Sequence, residues 1–234
     1  WDDPTILPFC DNYSYLEPFL SNDGKRLYFA SDRPKNKLDT LKSDFDIWYV
    51  ERKSITSKWS NPINLGSSVN SKNNEFYPTL ANNNLYFTME SELGLGKDDI
   101  YYCKWNGTDY SKPILLSSNI NSEGYEFNAF ISKDENMLIY TKYNTKDGFG
   151  SGDLYLSKKD KNGEWLASEN LGNKINTKFM EYCPFYNDQT NTLYFTSNRS
   201  KLVPKTFKSI QEFQEYVTSN ENGQSKIYKY KITF

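Results

Sequence analysis

Short apolar runs alternate with polar, Asn- and Asp-rich tetrads along the whole chain, and the same order of runs returns four times. Apolar runs of strand length, bounded by turn residues, predict β-strands joined by tight turns. The first run of each copy reads Tyr15-Leu16-Glu17-Pro18-Phe19-Leu20, Glu75-Phe76-Tyr77-Pro78-Thr79-Leu80, Glu126-Phe127-Asn128-Ala129-Phe130-Ile131 and Glu181-Tyr182-Cys183-Pro184-Phe185-Tyr186. A turn such as Ser21-Asn22-Asp23-Gly24 follows, where Asn, Asp and Gly tolerate the positive φ that hairpins need. The second run is Leu27-Tyr28-Phe29, Leu85-Tyr86-Phe87, Leu138-Ile139-Tyr140 and Leu193-Tyr194-Phe195. The third begins at Asp46, Asp99, Asp153 and Lys226. A fourth is expected around Trp59-Ser60-Asn61-Pro62 and Tyr110-Ser111-Lys112-Pro113, and weakly at Trp165 to Ser168.

Four short strands in a repeat of about 55 residues are the signature of propeller blades. The expected fold is therefore all-β: one propeller domain over residues 1–234, with repeats at about 15–66, 75–117, 126–172 and 181–234. The last copy has no Trp-x-x-Pro strand, and Trp1-Asp2-Asp3-Pro4 matches it. Residues 1–8 are thus expected to complete the last blade and close a four-bladed ring. The alternative is that the four repeats belong to a five- or six-bladed ring. One segment departs from the strand pattern. Phe207, Ile210, Phe213 and Val217 recur at helical spacing, predicting a short helix within 206–218 that packs its apolar stripe on its own blade.

Composition narrows the chemistry. Aromatic residues make up 17% of the chain, with 19 Tyr and 15 Phe, which suits half-buried pleated surfaces. The net charge of −2 gives no footprint for nucleic acid. No apolar run approaches the roughly 20 residues of a membrane-spanning helix. Histidine is absent, which excludes Ser-His-Asp and Cys-His nucleophile systems and zinc sites with His ligands. The three cysteines, Cys10, Cys103 and Cys183, form no C-x-x-C pair and read as small packing residues.

The segment Pro18-Phe19-Leu20-Ser21-Asn22-Asp23-Gly24-Lys25-Arg26-Leu27-Tyr28-Phe29 resembles the Pro-Asp repeat of TolB-like propellers, as do the Asp-Ile-Trp/Tyr strands at Asp46 and Asp99 and the Trp-Ser-x-Pro segment at Trp59. The resemblance covers nearly the whole chain, with departures at Asn82-Asn83-Asn84 and at Ala129. It implies a bacterial propeller exported to the periplasm or cell surface, a lipoprotein being one form of this, that acts by binding a protein or a saccharide. It implies no reaction, since a fold alone supplies none.

Candidate site residues follow from the alignment of copies. Glu75, Glu126 and Glu181 share one repeat position, and Glu17 lies two residues later, on the same face if the strand keeps its period of two. On an innermost strand they are expected at the channel rim. There they would hold Ca²⁺ or Mg²⁺, contact a ligand, or bond to backbone N–H groups and to Arg33 and Arg199. Asp46, Asp99 and Asp153 are expected to tie loops to strands. The loops Pro34 to Ser43, Glu90 to Lys97 and Tyr143 to Gly150 all join second and third strands and are expected on one binding face. These features favour a monomeric binding or scaffold propeller. The competing reading is a glycoside hydrolase working with two carboxylates about 5–5.5 Å or 6.5–9.5 Å apart.

Overall fold

The computed structural model describes residues 3–36 and 41–234. Blade 1 consists of β1 (Leu16–Leu20), β2 (Arg26–Ser31), β3 (Asp46–Glu51) and β4 (Ile63–Asn64), hydrogen-bonded in that order. Blade 2 repeats it with β5 (Glu75–Ala81), β6 (Asn84–Glu90), β7 (Asp98–Cys103) and β8 (Ile114–Leu115). Blade 3 holds β9 (Glu126–Ile131), β10 (Met137–Tyr143), β11 (Gly152–Lys158) and β12 (Glu169–Asn170). Blade 4 holds β13 (Glu181–Asn187), β14 (Thr192–Ser197) and β15 (Lys226–Lys231), with helix α1 (Ile210–Val217) between the last two. All the strand pairings within the blades are antiparallel. The fold is a four-bladed β-propeller, as the repeat predicts.

Each junction between successive blades is built from the same positions. Ile47 of blade 1 packs with Leu85, Phe87 and Tyr101 of blade 2. Ile100 of blade 2 packs with Leu138, Tyr140 and Tyr155 of blade 3. Leu154 of blade 3 packs with Leu193, Phe195 and Tyr228 of blade 4. An Asn in the connector then doubles as a strand partner. Asn70 accepts from Ile47 N at 2.9 Å and donates to its carbonyl at 3.0 Å, and Asn121 and Asn176 do the same for Ile100 and Leu154. Nearly fully buried amides satisfied on both sides fix the connector against the third strand.

Three expectations need correction. The fourth strands are two-residue pairings at Ile63–Asn64, Ile114–Leu115 and Glu169–Asn170, just beyond the tryptophan and tyrosine segments. Before Pro62 and Pro113 pairing is limited to isolated bonds, Ser60 N to the Glu51 carbonyl and Ser111 N to the Lys104 carbonyl, and the ladder forms only after these residues without an N–H. Residues 3–8 contain no strand, and β15 is the outermost described strand of blade 4; Trp1 and Asp2 lie outside the described residues. The N-terminal segment runs to blade 1 instead, where Phe9 stacks on Phe29 with ring centroids 5.6 Å apart. Helix α1, capped by the Ser209 hydroxyl, buries none of its residues. Its Phe213 packs edge-on against Phe207 at 5.2 Å, so the apolar stripe closes on its own lead-in.

Candidate functional site at the propeller axis

Every inner strand carries a bulge at the same place, between Leu16 and Phe19, Phe76 and Thr79, the equivalent step of β9, and Tyr182 and Phe185. At each bulge one non-glycine residue adopts positive φ: Glu17 at 54°, Tyr77 at 51°, Asn128 at 54° and Cys183 at 51°. Left-handed backbone is unfavourable for residues with a Cβ, and bulges of this kind re-aim a side chain. The four re-aimed residues meet at the axis. Tyr77 N donates to Glu17 Oε2 at 2.8 Å, and Asn128 Nδ2 donates to Glu17 Oε1 at 2.9 Å. Cys183 Sγ donates to Asn128 Oδ1 at 3.5 Å, and the Tyr77 hydroxyl donates to the Pro184 carbonyl at 3.0 Å. One hydrogen-bonded group thus joins all four blades.

Glu17 is the only carboxylate among these four. Burial raises its pKa, the bonds from Asn128 and Tyr77 N pull the other way, and the charge of Asp98 adds to the rise. Asp98, the first residue of β7, is half-buried and faces Glu90 across the β6–β7 ladder. Burial and the charges of Glu90 and Asp99 raise its pKa as well. Burial and the Glu17 charge push the Cys183 thiol far up, and burial does the same to the Tyr77 phenol, so both stay protonated and donate. A cavity of about 180 Å³ opens beside the group, lined by Glu17, Tyr77 and the prolines Pro18, Pro78 and Pro184, with Phe19, Phe130 and Phe185 around them.

The other predicted site residues do not converge here. Glu75, Glu126 and Glu181 are buried at the blade junctions, each accepting from a backbone N–H and a hydroxyl four residues earlier: Ser71, Ser122 and Thr177. Arg199 pairs with Glu181 at 3.1 Å and lies over the Tyr228 ring, 4.4 Å from its centre. Arg33 meets none of the glutamates; it bonds to the Tyr15 hydroxyl and Asp11 and lies over Trp48. A ring of four carboxylates is therefore not formed, and among the described residues no group of three or more acidic, His or Cys side chains is placed to hold a metal ion. Asp99 accepts from Leu95 N and Gly96 N, and Asp153 from Phe149 N, tying two loops to their strands, while Asp46 is held by Asn64 and Lys35. Part of the first loop, residues 37–40, lies outside the described residues. Tyr77, Asn128 and Cys183 were not singled out in the sequence. Their signal is the position just before Pro18, Pro78 and Pro184, occupied in the third copy by Asn128 before Ala129.

No family model and no curated protein matches the sequence. Solved structures do. An endo-arabinase from Bacteroides thetaiotaomicron VPI-5482 superposes with a TM-score of 0.51 at 12% identity, covering 91% of this chain and 72% of that one. An α-L-arabinofuranosidase from Lactobacillus brevis gives 0.49 at 11% identity, over 91% and 71%. A thermostable family-43 glycoside hydrolase gives 0.48 at 15%, covering 81% of this chain, which spans 65% of that protein's length. None of the three is a TolB-like propeller. The endo-arabinase, the one of the three with a TM-score above 0.5, is a glycoside hydrolase, and this corrects the order in which a binding or scaffold propeller stood ahead of a hydrolase. At these identities the likeness shows the fold, and no helix among the described residues is long and apolar enough to cross a membrane. The comparisons support the propeller fold, and the geometry turns one half-buried glutamate, Glu17, to its axis.

Proposed function

We propose that this propeller hydrolyses glycosidic bonds at its axis, with Glu17 as proton donor to the leaving oxygen and water taking up the glycosyl group. The observation that carries this is the placement of Glu17. A left-handed bulge aims it at the axial cavity, and burial holds its proton more tightly than an ordinary glutamate does. A general acid needs a pKa lifted toward the working pH, and burial beside the axial cavity supplies that lift. Asn128 and Tyr77 N fix the carboxyl, while the protonated Tyr77 and Cys183 bring no competing base. Aromatic and proline rings around the cavity offer flat apolar surface to the faces of a sugar. The likeness to an endo-arabinase makes arabinosides the first substrates to try.

The test is release of product from 4-nitrophenyl glycosides and arabino-oligosaccharides by the wild-type chain, Glu17→Gln and Glu75→Gln. Cleavage that falls about 10³-fold or more in Glu17→Gln and survives in Glu75→Gln supports the reading. Cleavage by no form, or equal cleavage by wild type and Glu17→Gln, overturns it.

A further inference from the structure

Three of the four blades lay a basic side chain over one aromatic ring of the third strand. Arg33 lies 5.1 Å from the centre of the Trp48 ring, Lys142 5.5 Å from Tyr155 and Arg199 4.4 Å from Tyr228. In blades 3 and 4 the same cation also meets the junction glutamate, Lys142 at 3.8 Å from Glu126 and Arg199 at 3.1 Å from Glu181. Blade 2 has the matching ring, Tyr101, and the matching glutamate, Glu75, but among the described residues no basic side chain joins them. Met89 stands opposite Glu75 in the ladder where Lys142 stands opposite Glu126, and Ser91 matches Arg199. The lysines nearby go elsewhere. Lys35 pairs with Asp46 at 3.1 Å, Lys112 donates to the Ser67 carbonyl at 2.6 Å, and Lys72 is exposed at the rim.

An open cavity of about 820 Å³ lies where the cation would stand. Met89, Ser91 and Tyr101 line it, together with Val69 and with Ser71, whose hydroxyl donates to Glu75 Oε1 at 2.6 Å. Glu75 is fully buried and its Oε2 has no hydrogen-bond partner; the Tyr101 hydroxyl, beside Ser91 and on a residue 4% exposed, makes no hydrogen bond either. Phe87 and Tyr101 stack with ring centroids 6.2 Å apart, as Phe195 and Tyr228 do at 6.0 Å under Arg199.

We propose that this cavity binds a small organic cation, a guanidinium group on an apolar stem, held between Tyr101 and Glu75 as Arg199 is held in blade 4. Arg199 is the template. Its guanidinium covers the paired rings, donates to Glu181 Oε1 and donates to the Ile175 carbonyl at 2.9 Å. Blade 2 presents the Phe87–Tyr101 rings, Glu75 and, in the matching turn of the connector, Val69 for Ile175. A planar fork that bonds carboxylates and lies on aromatic faces favours guanidinium over ammonium. A buried carboxylate oxygen without a donor is costly, and the ligand brings that donor. Leu115 and the exposed Leu93 at the mouth suit an apolar stem.

The test titrates butylguanidinium, with butylurea as its uncharged isostere, into the wild-type chain, Glu75→Gln and Ser91→Arg by calorimetry at constant ionic strength. The wild type should bind butylguanidinium in preference to butylurea. Loss of the buried countercharge in Glu75→Gln should weaken binding by about tenfold or more. Ser91→Arg fills the site from within and should no longer bind. Burial and the charges of Asp46 and Asp44 push the Glu75 pKa up to about 7, and the cation selects the charged form, so affinity in the wild type should rise as pH passes that value. No binding by the wild type at millimolar concentration, butylurea bound as tightly, or binding unchanged in Glu75→Gln or in Ser91→Arg overturns the proposal. The cavity lies at the junction of blades 1 and 2 and no readout uses cleavage, so the outcome is separable from the glycosidase reading.

Discussion

Glu17 and Glu75 sit two positions apart in the repeat, and that offset decides what each does. Glu75 starts its strand and turns into the junction, where Ser71 caps it; Glu17 sits on the bulge and turns to the axis. Asn128→Ala removes a bond to the charged form of Glu17, so the Glu17 pKa is expected to rise further. A bond to a charged group contributes about 1.5–3 kcal/mol, and the alkaline limb of any pH–activity profile should move up with it. Glu75 gives a prediction for the fold itself. Burial pushes its pKa up to about 7 from an ordinary 4.5. Because the folded value is raised, this contribution to stability is full below pH 4.5 and is lost as pH rises through about 7. The loss is about 3 kcal/mol, and it should be seen as a fall in urea midpoint between pH 5 and pH 8. Glu75→Gln should flatten that slope. The three junction glutamates were legible as one series because they recur in register. The axial set was not, because assigning Glu17 to the same face assumed an unbroken period of two, and a bulge between Leu16 and Phe19 breaks it.

Whole strands were easier to read than their edges. The inner three strands of each blade carry their own apolar residues and stand where the runs place them. The fourth strands were placed early because the tryptophans were read as strand residues. Trp59 packs under Arg52, whose guanidinium is 4.2 Å from the ring, and apart from the Ser60 N bond to Glu51 the ladder waits until Ile63. The junctions between blades carry the stability. Ile100→Ala should cost about 2–5 kcal/mol, as expected for a fully buried side chain that leaves a cavity. Ile227→Ala, at the same repeat position but exposed, should stay within about 0.5 kcal/mol. Urea unfolding of the two variants side by side reads the difference. Helix α1 followed from its spacing, but its partner did not, since an amphipathic period shows that an apolar face exists and not what covers it.

At the scale of the molecule, the propeller concentrates acid at its junctions and answers it with one cation each. Lys35 reaches Asp46 at 3.1 Å, Lys142 lies 3.8 Å from Glu126, and Arg199 meets Glu181 at 3.1 Å. Removing Arg199 takes the charge partner from a fully buried carboxylate that keeps only its bonds from Thr177 and Ser197, so Arg199→Ala should destabilise by about 3–5 kcal/mol. Arg33→Ala loses a contact to the partly exposed Asp11 and should cost under about 1 kcal/mol by that contact. The four-fold repeat made the architecture readable and the absence of histidine narrowed the chemistry; neither carries information on which inner-strand residue is turned to the axis. That geometry is the centre of the account, and it can be tested before any substrate is known. The measurement is the NMR titration of the Glu17 carboxyl carbon in the wild-type chain and in Asn128→Ala. The account predicts a pKa above the ordinary glutamate range that climbs further when Asn128 is removed. A value at or below about 4.3, unmoved by the substitution, would contradict a desolvated acid held at the axis by its neighbour.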